Sequence, residues 1–260
     1  MLKVRIIPTL LWKEFGLVKG TGFDSWRRVG TMMPAIKVYN TRQVDELIVL
    51  DISATFEGRA PDCESINEFS AECFVPLTVG GGVRDLEGIR NLLRAGADKI
   101  SINSAAYGNP RLIREAAEKF GSQCIVVSID ARKTAGGNYE CFSHCGTRPT
   151  GKSVDSWARE VERLGAGEIL LTSVERDGTM QGYDLDLMKT VTGSVGIPVI
   201  ASGGAGSYKD MYDAISVANC SAVAAASIFH FTQQTPMEAK MFLSENRVAV
   251  RNVNIRSDHS

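Results

Sequence analysis

The sequence predicts an α/β chain of the (βα)8 barrel class with an internal twofold repeat. Short apolar runs of strand type recur eight times, amphipathic segments of helical period separate them, and the second half of the chain echoes the first. Parallel strands need crossover helices, and eight alternations within 260 residues suit a closed barrel. A doubly wound open sheet is the competing arrangement, but it does not need eight units.

Taken in order, strands are expected at Arg5–Leu10, Glu46–Asp51, Pro76–Val79, Lys99–Ile102, Ile125–Asp130, Glu168–Thr172, Pro198–Ala201 and Ala222–Ala226. The first lies in "RIIPTLLWKEFG" and runs past Leu11 without an acidic side chain before Glu14, whereas the fifth, in "CIVVSIDARK", ends on Asp130. The segments "DLEGIRNLLRAG", "NPRLIREAAEKFG", "VDSWAREVERLGAG" and "YKDMYDAISV" are amphipathic, and several end in a glycine suited to a left-handed cap. Residues 1–245 then make one barrel, and 246–260 form a C-terminal tail expected to be mobile.

The repeat supports closure. "VDELIVLDIS" is answered by "AGEILLTSVE", with Glu46 and Glu168 lying 122 residues apart. At the same spacing Pro76 meets Pro198, Gly81 meets Gly203 and Gly82 meets Gly204, while Ser104 meets Ser227 one residue out of register. Two similar halves duplicate any site at the strand ends, so the ligand should have two similar ends.

Twenty-nine basic against thirty acidic residues give a formal charge of −1, which offers no global attraction for nucleic acid or an anionic membrane. Apolar runs such as "VPLTV" and "AVAAASIF" fall short of the roughly 18 residues of a membrane span, so a cytoplasmic protein is expected. Six cysteines are scattered without a C-x-x-C pair; Cys141, His144 and Cys145 cluster but lack a second ligand pair, so neither a metal nor a cofactor is expected.

Ligand-binding groups of such barrels lie beyond the C-terminal ends of the strands. "TVGGGVRD" and "ASGGAGSY" are Gly-rich and lead into helices, which allows close backbone approach to an anion and presents N–H groups of a helix start. "SINSAA" and "AAASIF" add the hydroxyls of Ser104 and Ser227, placing two phosphate sites on opposite sides of the mouth. Asp130 would project a carboxylate between them as a general acid or base, although an aspartate there can also simply cap its loop. Lys19, Asp51, Asn103, Thr172, Asp177 and Ser202 are further mouth candidates. The "RDGT" loop can present Asp177 and Thr179, although Asp-Gly is also an ordinary turn. At the other end Arg5, Glu46, Lys99 and Glu168 stand at strand starts, and inward charges are costly unless paired, so they form either a salt-bridge plug or a functional ring.

Through "RIIP", "LVKG", "DELIVLDI", "EGRA", "PLTVGGGVR", "AGADKISINSAA", "GEILLTSVERDGTMQGYD", "IPVIASGGAG" and "AASIFHF", the span from Arg5 to about Leu243 resembles the cyclase-subunit family of imidazole glycerol phosphate synthase. The resemblance implies a barrel that docks a glutaminase subunit at its N-terminal face and passes ammonia through its interior to a bisphosphate substrate at the mouth, with cyclase and lyase chemistry. It implies an ammonia gate of Arg5, Glu46, Lys99 and Glu168, phosphate contacts at Gly82, Asn103, Ser104, Asp177, Gly178, Gly203, Gly204 and Ser227, and a substrate-loop lysine at Lys19. The family's two catalytic aspartates fall on Asp130 and on Leu11. A leucine cannot move a proton, and such groups typically contribute about 10²- to 10⁴-fold.

Leu10, Leu11 and Trp12 rewrite the lip as apolar, so the departure reads as a retuned site rather than an isolated loss. The chain resembles paralogues that work in surface-polysaccharide synthesis with their own glutaminase and a separate ATP-using sugar amidotransferase, converting an acetamido to an acetamidino group. Three readings follow: an ammonia-conducting subunit of sugar amidation, an authentic cyclase in which Asp130 works alone or with Lys19, and a phosphate-binding regulator of a glutaminase.

Overall fold

Along β1 (Arg5–Lys13), the two-residue period of a strand puts Arg5, Ile7, Thr9 and Leu11 on one face and Ile6 and Leu10 on the other. Ile7 packs inside the barrel with Ile48, Val126, Leu170 and Ile200, whereas Ile6 and Leu10 join the larger core between barrel and helices.

The computed structural model describes residues 3–14 and 16–251. After β1 come the hairpin strands β2 (Gly16–Thr21) and β3 (Asp24–Gly30), helix α1 (Met32–Thr41), β4 (Leu47–Asp51), the short α2 (Ala54–Glu57), α3 (Cys63–Ala71), β5 (Leu77–Gly80), α4 (Leu86–Arg94), β6 (Lys99–Ile102), the short α5 (Ser104–Gly108) and α6 (Arg111–Phe120). The second half follows with β7 (Ile125–Lys133), the hairpin strands β8 (Tyr139–Ser143) and β9 (Arg148–Ser153), α7 (Val154–Arg163), β10 (Glu168–Ser173), α8 (Leu185–Thr192), β11 (Val199–Ser202), α9 (Tyr208–Ser216), β12 (Ala222–Ala225), the short α10 (Ser227–Phe231) and α11 (Pro236–Glu245).

Strands β1, β4, β5, β6, β7, β10, β11 and β12 pair in parallel in that order, and β12 returns to β1 through Arg5↔Ala222 to Pro8↔Ala225. The expected closed (βα)8 barrel is therefore present. Its helices start where the sequence supplies caps: Asp85 and Asp184 accept backbone N–H groups of α4 and α8, and Ser207–Asp210 and Thr235–Glu238 form capping boxes on α9 and α11. Each fully buried Ile or Leu of the two cores contributes about 1.5–3 kcal/mol.

Two expectations need correction. The first and fifth strands do not end at Leu10 and Asp130; they run on to Lys13 and Lys133 because each bends into an antiparallel hairpin, with Leu11↔Val18 and Asp130↔Phe142 as the joining pairs. The hairpins β2–β3 and β8–β9 are additional to the eight expected strands. Their outer members, "DSWRRVG" and "RPTGKS", are largely solvent-exposed and carry no apolar alternation that would have marked them.

Beyond α11 the chain turns back to the barrel floor, where the Val4 N–H donates to the Ala249 carbonyl at 2.8 Å and Val4 bridges Val250. Of the expected tail, residues 246–251 are described and 252–260 lie outside the described residues. Among the described residues no helix is long and apolar enough to cross a membrane.

Candidate functional site

The C-terminal ends of the eight strands enclose a cavity of about 540 Å³, a size typical of a small-molecule site. The expected mouth residues Lys19, Asp51, Gly82, Asn103, Ser104, Asp130, Thr172, Asp177, Gly178, Ser202, Gly203, Gly204 and Ser227 all line it, and so does Leu11. Thr179 does not; its hydroxyl donates to the Arg176 carbonyl at 2.7 Å and closes a turn.

Asp130 lies two positions above the inward Ser128 on β7 and is buried. The Asn103 amide donates to its Oδ2 at 2.8 Å. Burial is the main cause that pushes the Asp130 carboxyl up to about 7; the Asp177 charge acts in the same direction, and the Asn103 hydrogen bond and Arg132 oppose it. A carboxyl held near neutrality can both donate and accept a proton.

On the opposite strand β1, Leu11 occupies the equivalent place. It pairs with Leu50 of β4 just as Asp130 pairs with Thr172 of β10, so one side of the mouth presents two leucines where the other presents a carboxyl and a hydroxyl. Lys19 reaches in from β2, but its ammonium donates to Asp177 Oδ1 at 3.2 Å and Oδ2 at 3.4 Å rather than to Asp130. Asp51 is also at the mouth, yet its carboxylate is engaged: Oδ1 accepts from Ser53 N, Ser53 Oγ and Ala54 N, each at 3.0 Å, and Oδ2 pairs with Arg59 at 2.8 Å.

Two Gly-rich turns flank the mouth. Gly81 has φ +106°, and a side chain there would collide with the Asp51 carbonyl; Gly204 has φ +112°, and a side chain would collide with the Gly182 carbonyl. Beside them α5 starts at Ser104 and α10 at Ser227. The two hydroxyls differ: Ser104 Oγ accepts the His144 N–H at 2.9 Å, whereas among the described residues Ser227 Oγ, Thr9 Oγ1 and Asn103 Oδ1 are buried without a hydrogen-bond partner. Buried polar atoms of this kind suit a polar ligand that completes them.

At the other end of the barrel four charges form one closed ring. Arg5 lies 2.8 Å from Glu46 and 3.0 Å from Glu168, and Lys99 lies 2.9 Å from Glu46 and 3.3 Å from Glu168. Burial opposes the charge on Arg5, but Glu168 and Glu46 more than offset it and raise its pKa. The Thr78 hydroxyl donates to Glu46 at 2.6 Å, and the layer of Ile7, Ile48, Val126, Leu170 and Ile200 separates the ring from the mouth.

Cys141, His144 and Cys145 do not converge. Cys145 Sγ donates to the Ile52 carbonyl at 3.4 Å, and Cys141 is buried; burial pushes both thiols up to about 12. Among the described residues no group of three or more His, Cys, Asp or Glu side chains is arranged to hold a metal ion.

Some lining residues escaped the sequence reading. Thr9 and Ser128 sit two residues before Leu11 and Asp130 on the inward face, and their polarity in apolar strands was a signal that could have found them. Phe23, Trp26 and His144 come from the hairpins, which left no comparable signal.

The model of the family described as histidine biosynthesis protein matches residues 5–235. The protein named "Imidazole glycerol phosphate synthase subunit HisF" of Chloroherpeton thalassium (strain ATCC 35110 / GB-78) is 49% identical over 251 residues, covering 96% of this chain and 100% of its own.

Proposed function

The chain belongs to the histidine biosynthesis protein family, and within it we propose that this barrel receives ammonia from a glutaminase and conducts it for a glutamine-dependent amidation, rather than running a full cyclase reaction. The observation that carries this reading is Leu11 at the mouth opposite Asp130 while the charged ring below is complete. A reaction built on two opposed acid/base groups is left with one, whereas all four charges of the ring are present and paired. The ring face is the docking surface proposed for the glutaminase.

The apolar lip of Leu11 and Leu50 supports the finer assignment, amidation of an acetamido to an acetamidino group on a surface-polysaccharide sugar; Leu10 and Trp12, expected in that lip, instead pack in the core between barrel and helices, where Trp12 meets Phe69 edge-to-face at 5.5 Å. Replacing an amide oxygen by nitrogen requires that oxygen to be activated, which an ATP-dependent sugar amidotransferase partner would supply. The two Gly-rich turns with Ser104 and Ser227 are the proposed holders of a phosphorylated ligand, with Asn103, Thr172, Ser202 and the Lys19–Asp177 pair around it. The proposed compartment is the cytoplasm.

A second reading is an authentic cyclase subunit of imidazole glycerol phosphate synthase, the name the 49% identical relative carries. What favours it is the Asp130 carboxyl near 7, poised for proton transfer in both directions.

The purified chain, given the bisphosphate ribotide of that synthase and an ammonium salt, is expected to form no imidazole product. Turnover within about tenfold of an authentic cyclase would overturn the amidation reading. If Leu11→Asp then raises imidazole formation from nothing, the lip is where the chemistry diverged.

A further inference from the structure

Asp45 and Lys240 make a charge pair that belongs to neither the mouth nor the ring. Among the described residues it is the most deeply buried ion pair, with side chains 0% and 3% exposed. Side chains alternate along a strand, so Asp45 points out toward the helices where its neighbour Glu46 points in to the ring. The Lys240 ammonium comes from the core face of α11, beside the buried Ala239 and Leu243, and donates to Asp45 Oδ1 at 2.7 Å and to the Gln43 carbonyl at 2.5 Å. Arg251 Nε stands 3.9 Å from the same oxygen, but its side chain is 55% exposed, so Lys240 is the compensating charge.

The other carboxylate oxygen grips the strand that carries Arg5. Ile6, the residue after Arg5, donates its N–H to Asp45 Oδ2 at 2.9 Å, and its carbonyl accepts the Asp45 N–H at 3.3 Å. This clasp keeps the 39-residue offset at which Thr9 meets Ile48 in the β1–β4 ladder. Two residues along β1 from Ile6, Pro8 has no N–H to give, so the clasp fixes the lower end of the pairing. Arg5 and Glu46 are the immediate neighbours of the two clasped residues, and their 2.8 Å contact starts from this fixed backbone.

The other half of the barrel has no such device. The residue before Glu168 is Gly167, the 122-residue partner of Asp45. Its N–H donates to the Ile125 carbonyl at 2.9 Å, as Asp45 does to Ile6, but it brings no carboxylate, and a side chain there would collide with the Ser122 carbonyl. Buried ion pairs seldom stabilise more than apolar residues of the same shape, so packing alone does not call for Asp45 and Lys240. An apolar pair would lack the acceptor for the Ile6 N–H. We propose that Asp45, held by Lys240, is a positioning residue for the ring, fixing the backbone from which Arg5 and Glu46 project and tying that side of the ring to α11. The consequence for ammonia rests on the proposed role of the ring; the placement of Arg5 does not.

The test is hydrogen exchange followed by NMR on the full chain, read at the Ile6 amide and the Arg5 guanidinium. Lys240→Met alone strands a buried carboxylate and threatens the fold, so the deciding variant combines it with Asp45→Ala and removes both charges. The double variant is expected to keep amide exchange in β10 within about twofold of the parent and to speed exchange at Ile6 and Arg5 about tenfold or more, the scale of a lost hydrogen bond. Lys240→Arg keeps the charge and should hold both sites near the parent rates. Faster exchange throughout the barrel, outright unfolding included, or faster exchange at Ile6 without Arg5 would overturn the positioning role. In a complex with the proposed glutaminase partner, the double variant should lose glutamine-dependent more than ammonium-dependent product formation. If Arg5 loosens and the two nitrogen sources suffer equally, the ammonia role of the ring fails and the positioning role stands; if Arg5 does not loosen, the positioning role fails whatever the nitrogen source.

Discussion

The half-barrel from β1 to α6 and the half from β7 to α11 keep the same scaffold and carry different chemistry. Pro76 and Pro198, 122 residues apart, each accept a strand-start hydrogen bond at 2.9 Å, from Leu47 and Ile169. Ile48 and Leu170 fill the same interior layer, and Gly81 and Gly203 both hold positive φ. Each half also bends its first strand into a hairpin. The halves part company at the mouth, where Leu11 and Leu50 face Asp130 and Thr172, and where Ser104 is tied to His144 while Ser227 has no partner among the described residues. Positions that shape the backbone cannot change without a folding cost. Side chains that only project into a cavity can, and the reaction changes with them.

Placing the same residue on both sides of the mouth breaks the comparison most sharply. The Asp130 carboxyl is raised from 3.8 to about 7, so the folded state keeps a proton that the unfolded state releases. Its stabilising contribution is present in full below about pH 4 and is lost as pH rises toward about 7, a decline of about 4 kcal/mol at most. Asp130→Asn removes this dependence. The variant should match the parent near pH 4, gain stability over it between pH 4 and 7, and hold a constant advantage above that, as read by urea unfolding at several pH values. Leu11→Asn should do the reverse, costing about 1–3 kcal/mol at every pH because a buried apolar group gives way to a polar one. A parent whose stability relative to Asp130→Asn does not fall between pH 4 and 7 would mean that Asp130 is ordinarily ionised.

The ring offers a second comparison, between Glu46 and its repeat partner Glu168. Both are bridged by Arg5 and Lys99, but Glu46 also accepts from Thr78, and its side chain is 2% exposed against 14% for Glu168. Removing one partner of a buried charge set leaves the rest uncompensated. Glu46→Gln is expected to cost about 3 kcal/mol and Glu168→Gln about 1 kcal/mol in unfolding free energy. In a complex reconstituted with the proposed glutaminase partner, both should impair glutamine-dependent more than ammonium-dependent product formation. Equal effects on the two nitrogen sources would reduce the ring to a structural plug.

These contrasts show how far the sequence carried. The eight barrel strands were legible because each is a short apolar run, and the 122-residue echo of Glu46 and Pro76 in Glu168 and Pro198 made closure legible too. Most mouth residues followed from the strand ends, since glycines, Asn103 and Asp130 fall there once the strands are placed, while Gly178 came only from the family resemblance. The hairpins were not legible: "DSWRRVG" and "RPTGKS" pair through backbone bonds while their side chains face solvent, so no alternation marks them. With them went Phe23, Trp26 and His144. Nor did sequence disclose that Lys19 would pair with Asp177 or that Asp51 would be held by Arg59, because these depend on loops 158 and 8 residues away, respectively, in the chain.

The smallest contrast is between the two serines. Ser227 Oγ is buried and has no hydrogen-bond partner among the described residues, so an arriving phosphate oxygen would accept its hydrogen without displacing any of their contacts. Ser104 Oγ already accepts the His144 N–H, but its own hydrogen remains available, so it can serve both His144 and a phosphate. Hydrogen bonds to charged groups are worth about 1.5–3 kcal/mol, so Ser227→Ala should weaken inorganic phosphate binding by about tenfold or more. Ser104→Ala loses the same donor and also strands the His144 N–H, which loosens the β8–β9 turn. Its phosphate loss should be similar, but it should add faster amide exchange at His144, a change absent from Ser227→Ala. Phosphate affinity unchanged in both variants would remove the hydroxyls from the cradles, and faster exchange in both would make the asymmetry between the halves a matter of packing alone.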